Sequence, residues 1–65
     1  MTAAGVAPLN IDDCPTGFVV KGNISEDGEK IFHLPGGEFY DVTNPEICFA
    51  TAADATAAGY RPSRR

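Results

Sequence analysis

The chain has few soft metal ligands: two cysteines and one histidine in 65 residues, with no CxxC or HxxxH spacing between them. A structural zinc site needs four ligands in close array, so no metal is expected. No apolar run approaches the roughly 18 to 20 residues that cross a bilayer, and no basic, apolar leader opens the chain, so no membrane partner is expected. With Met1 at the start, the reading is synthesis in a cytoplasm. Neither GxxxxGKS nor GxGxxG is present, which removes the common phosphate-cradling loops and leaves Gly36 and Gly37 as turn residues. Bases are scarce too. Five Lys and Arg stand against nine Asp and Glu, a net charge of -4 that disfavours general attraction to phosphate backbones.

What remains is one small domain. A chain this short buries a modest share of its surface, and its stability calls for a disulfide, a metal or a partner surface. Residues 1–13 carry neither helical nor alternating periodicity and read as an extended N-terminal arm; residues 14–65 read as a single α+β domain with a basic tail. Gly17 to Gly22 supplies a β-rich run, Ser25 to Gly28 a tight turn, and Glu29 to Leu34 a returning strand, together an antiparallel hairpin. Pro35, Gly36 and Gly37 stop that strand, Glu38 to Val42 reads as a short extended segment, and Ile47 to Phe49 is a third apolar run. Thr51, with Asp54 three residues on and Gly59 and Pro62 beyond, brackets a short capped helix rich in alanine. The expected fold is therefore a small three-stranded antiparallel sheet with one short C-terminal helix. Its candidate core is Phe18, Ile31, Phe32, Phe39, Ile47, Phe49 and Tyr60.

No catalytic set emerges. His33 sits beside Ile31 and Phe32, and nothing in the pattern supplies a nucleophile and an orienting partner for it, so a structural role is expected and no cofactor. Cys14 and Cys48 admit two states. In reducing surroundings they would be buried thiols; as a disulfide they would close most of the domain and contribute about 4 kcal/mol. Lys21, Lys30, Arg61, Arg64 and Arg65 could converge as an anion-binding edge with Tyr40 or Tyr60 as a stacking platform, and these seven are the candidate partner-binding residues.

The strings KGNIS, GEKIFHLPGGEFYD and TNPEICFATAADATAAGYRPSRR resemble the sunset domain, a small module of actinobacteria and their phages, over Cys14 to Arg65. The chain is also similar, more distantly, to modules whose cysteines bind metal after HxP and AGYRP motifs. Here Gly36 and Gly37 follow Pro35, and Ser63, Arg64 and Arg65 follow Pro62, so the resemblance carries the scaffold and not the metal. It implies a bacterial host and an accessory role. The first expectation is a non-catalytic docking protein on a larger assembly, such as a phage capsid decoration protein, attached through the arm and located in the virion. The alternative is an accessory nucleic-acid-binding module of the kind appended to thermonuclease-like nucleases.

Overall fold

The computed structural model describes residues 5–63. Four strands and one helix follow in the order β1 (Val20–Ile24), β2 (Lys30–His33), β3 (Ile47–Phe49), α1 (Ala52–Ala57) and β4 (Arg61–Pro62). The sheet order is β3-β1-β2-β4, with β1 antiparallel to both β2 and β3, and β4 parallel to β2. The three-stranded antiparallel sheet expected from the sequence is thus replaced by a four-stranded mixed one. No helix among the described residues is long and apolar enough to cross a membrane.

The hairpin forms where its turn chemistry directs. The Ser25 amide donates to the Glu29 carbonyl (2.8 Å), the Gly28 amide donates to Ser25 (2.9 Å), and the Ser25 hydroxyl accepts from the Glu29 amide (3.1 Å). Gly28 sits at φ 86°, a left-handed geometry that glycine adopts without a Cβ penalty. Thr51 caps α1 by accepting from the Asp54 amide at 3.1 Å. At the other end Gly59 (φ 94°) reverses the chain, and the Tyr60 amide donates back to Ala55 at 3.0 Å. That reversal lays Arg61 and Pro62 alongside β2, and the Ser63 amide reaches the Phe32 carbonyl at 2.9 Å. A parallel pair needs a crossover, and the connection from β2 to β4 supplies it through β3 and α1. A two-residue strand ending in proline has no alternating pattern to read, which is why β4 escaped the sequence.

Glu38 to Val42 is not extended. It belongs to a chain of tight turns in which the amides of Gly37, Tyr40 and Thr43 donate to the carbonyls three residues back, at 3.0, 3.2 and 3.2 Å. Threonine completes the coil: the Thr43 hydroxyl donates to the Phe39 carbonyl at 2.6 Å.

Strand register divides the sheet into two unlike faces. Val20 and Gly22 align with Phe49, Ile47 and Phe32 on one face, and Lys21 aligns with His33 and Cys48 on the other. The first face is the core: Val20, Phe32, Phe49, Ala55 and Tyr60 are buried together, with Ile47, Ala52 and Ala58 against them. Phe49 and Tyr60 meet edge to face, centroids 5.2 Å apart at 65°. Of the expected core, Phe32, Phe49 and Tyr60 are buried and Ile47 packs on them, whereas Phe18 and Ile31 are only partly buried and Phe39 is 37% exposed. Phe39 fails because the segment carrying it turns instead of pairing. Gly22, read as the end of a strand, lies in the middle of β1. A Cβ there would stand 2.9 Å from Ile47, 3.1 Å from Phe49 and 3.1 Å from Tyr60. Gly22→Ala should therefore destabilise the fold by about 1 to 3 kcal/mol through overpacking, read as a lowered urea midpoint with unchanged slope.

The N-terminal segment is tied to the far side of β3. Val6 and Cys48 exchange amide and carbonyl, both at 2.8 Å, and Gly5 packs against Ile47 and Phe49. Asn10 then turns the chain by accepting from the amides of Asp12 (2.8 Å) and Asp13 (2.9 Å). Of the two states the sequence admits, Cys14 and Cys48 take the disulfide, with 5.8 Å between Cα atoms and 34 residues of separation. Closing a loop of that length removes enough unfolded-chain entropy to contribute about 4 kcal/mol. Adding reductant should lower the unfolding free energy by roughly that amount in a urea titration. An identical midpoint in reductant would show that the bridge is not formed.

Candidate binding face

The second face of the sheet is polar and buried, and Lys21 organises it. Only 6% of Lys21 is exposed. An ammonium taken from water needs replacement partners, and here it donates to the carbonyls of Tyr40 (2.9 Å) and Thr43 (3.2 Å) and lies 4.4 Å from the centre of the Tyr40 ring. The chain of turns at 37–43 presents those carbonyls together. Tyr40 is fixed in turn by donating its hydroxyl to the Val19 carbonyl. Burial first, and then the neighbouring Asp41, push its phenol above the usual tyrosine range, so it remains a donor.

His33 lies across from Lys21 in the β1–β2 register and is buried, with no hydrogen-bond partner at Nδ1 among the described residues; Asn23 Oδ1 is in the same position. Burial, and then Lys21, hold the imidazole below its usual range. The site is hostile to a second cation.

Among the described residues, the members of the expected anion-binding edge do not converge. Lys21 and Tyr40 occupy one face, while Lys30 lies 5.9 Å from the centre of the Tyr60 ring on the other. Arg61 is engaged by Glu29 at 2.8 Å, an ion pair open to solvent. Arg64 and Arg65, like residues 1–4 of the arm, lie outside the described residues. No group of three or more His, Cys, Asp or Glu that could hold a metal ion occurs among the described residues.

What the sequence did not disclose is a cavity of about 310 Å³ beside Lys21, bounded by Asp12, Asp13, Cys14, Phe18, Val19, Tyr40 and Asp41. Its walls come from segments 12–19 and 40–41, which the disulfide and the Lys21 contacts hold against the sheet. The two rims are joined further out. With its side-chain amide turned to the orientation that satisfies both ends, Asn44 donates to the Ile11 carbonyl (3.3 Å) and to Asp12 Oδ1 (3.0 Å). On these two loops three aliphatic side chains stand in solvent: Leu9, Ile11 and Val42, at 68%, 70% and 74% exposure. No pattern in the sequence places residues 12 and 41 on one cavity, because both lie on irregular loops.

Fold and site together define a small, disulfide-closed mixed α+β module with an apolar core on one sheet face and a loop-built polar cavity on the other. The family model of ArfC matches residues 1–62, and the chain belongs to that family. It is also 47% identical over 49 residues to the large ribosomal subunit protein uL4 of Cutibacterium acnes, a stretch covering 75% of this chain and 15% of that protein. The chain thus spans only a small part of the length of the curated relative it matches. No solved structure matches. These matches correct the resemblance drawn from the sequence: the family is ArfC and not the sunset domain, and they point away from a phage or virion structural protein.

The His33 environment makes a prediction. In the unfolded chain the imidazole titrates near 6.5, and in the fold it takes its proton at lower pH. The unfolded state therefore binds more protons in that window, and stability should fall as pH drops below about 6.5. Urea midpoints compared at about pH 7.5 and about pH 5.5 should decrease at the acid value, and His33→Gln should flatten the difference.

Proposed function

We propose that this domain is a non-catalytic docking module that binds a protein surface. The observation carrying this reading is the trio Leu9, Ile11 and Val42, each more than two-thirds exposed on loops that are otherwise held down by hydrogen bonds and a disulfide. Large aliphatic groups on pre-ordered loops suit an interface, since little ordering entropy is then lost on association. The similar segment within uL4 supports it further, because a stretch amounting to 15% of a longer protein fits a module that serves its neighbours. The net charge of -4 favours a protein partner over nucleic acid, and Lys21 and Arg61 already hold partners within the domain.

Site-specific photo-crosslinking in the producing cells tests this. A benzophenone side chain at position 42 should give a discrete protein adduct that the same group at position 27, in the hairpin turn, does not give, and Ile11→Asp should abolish it. Equal adducts from both positions, no adduct, or an adduct that disappears on nuclease treatment would overturn the reading.

A further inference from the structure

We infer that the Cys14–Cys48 bridge is an exchangeable disulfide, attacked at Cys14 by a small dithiol that enters the cavity beside Lys21, and that opening it releases the loop carrying Leu9 and Ile11. Loss of docking on that release rests on the role just proposed; the exchange itself does not. The two sulfurs are unequally placed. Cys48 is 0% exposed, with its strand paired to β1 on one side and to Val6 on the other. Cys14 is half-buried and forms part of the cavity wall, together with Pro15 and Phe18. Exchange requires a thiolate to reach one sulfur of the pair, and of these two residues it is Cys14 that borders open space.

The surroundings suit a reaction at that sulfur. A volume of about 310 Å³ admits a small thiol. Lys21 is part of the lining, and it stands directly opposite Cys48 in the β1–β3 register, on the same sheet face. One buried ammonium thus shares the cavity with the incoming thiolate and the sheet face with the departing one, and a nearby cation stabilises a thiolate. Asp12, Asp13 and Asp41 stand exposed around the cavity, so a neutral dithiol is admitted in preference to an anionic one. In the first step the reductant's thiolate bonds to Cys14 Sγ, the Cys14–Cys48 bond breaks, and Cys48 leaves as a thiolate that takes a proton from water. In the second, the reductant's other thiolate attacks its own sulfur in the mixed disulfide and frees Cys14, which is protonated in the same way. The chain gains two electrons and two protons, and the dithiol is oxidised to its disulfide. Residues 7–13 are then held by the Val6–Cys48 backbone pair and the reoriented Asn44 amide, without a covalent tie. Leu9 and Ile11 lose their fixed place relative to Val42, whose loop stays anchored by Lys21.

The test reduces the oxidised chain with dithiothreitol and follows the release of free thiol. Attack on the folded domain should give a rate proportional to dithiothreitol that changes by less than about two-fold between no urea and about 1 M urea, whereas attack that waits for global unfolding should rise by about five-fold or more. Brief exposure to mercaptoethanol, stopped with N-ethylmaleimide, should place the thiol adduct on the tryptic peptide of Cys14 and the maleimide on that of Cys48. Amide spectra of the reduced, isotope-labelled chain should shift at residues 5–18 and keep the dispersion of β1, β2 and α1. A rate that follows global unfolding, an adduct on Cys48, or collapse of the whole spectrum would overturn the inference. The crosslinking experiment separates the two claims. With the benzophenone at position 42, Cys14→Ser should lower the protein adduct by at least about five-fold if docking needs the tethered loop. An undiminished adduct removes the switch and leaves the docking role; no adduct from either chain removes the docking role and leaves the exchange at Cys14 to its own rates and adducts.

Discussion

Cys48 is the point at which three otherwise separate pieces of this domain are joined. Its backbone pairs with Val6 on one side of β3, its strand pairs with β1 on the other, and its sulfur is bonded to Cys14. The buried apolar core is small, so covalent closure contributes on the same scale as the whole net stability of an ordinary small domain. Loops that would fray on their own are thereby held against the sheet. The cavity exists because of that tether: remove it, and the segment bearing Asp12, Asp13 and Phe18 loses its covalent attachment to β3.

Lys21 does for the second loop what Cys48 does for the first. A buried cation is costly, and the turns at 37–43 offset the cost by turning two carbonyls and one aromatic ring toward it. The arrangement works in both directions, since the ammonium gives an irregular segment a fixed place on the sheet. His33, adjacent in register, is held below its usual range first by its own burial and then by the neighbouring Lys21 ammonium. The domain therefore has a dry apolar face that supplies hydrophobic stability and a polar face that supplies loop order. The second face carries the open cavity, whereas the first is filled by α1 and Tyr60.

Local features were legible where chemistry is local. The Ser25 to Gly28 turn, the Thr51 cap, the stop at Gly59 and the apolar run at Ile47 each follow from a few adjacent residues, and each stands where those residues place it. Phe39 misled for the same reason, because its neighbours look extended until hydrogen bonds three residues apart coil them. Gly22 misled differently: it resembles a terminator but is required mid-strand, where two aromatic rings and an isoleucine leave no room for a Cβ. Lys21 and Lys30, read as parts of one basic edge, are sent to opposite faces by alternation along the strands, and the register that decides this is a pairing property.

From the order of residues alone come the hairpin, the capped helix, the acidic balance and the poverty of metal ligands. Each is a matter of composition or of neighbours within a few positions, where propensity and turn chemistry act without reference to the rest of the chain. The parallel β4, the burial of Lys21, the bond between Cys14 and Cys48 and the cavity that Asp12 and Asp41 both line arise from contacts between residues roughly 20 to 35 positions apart. Such contacts form only when the whole sheet is in place, because the entropy of closing each loop is recovered by packing that no single segment can supply.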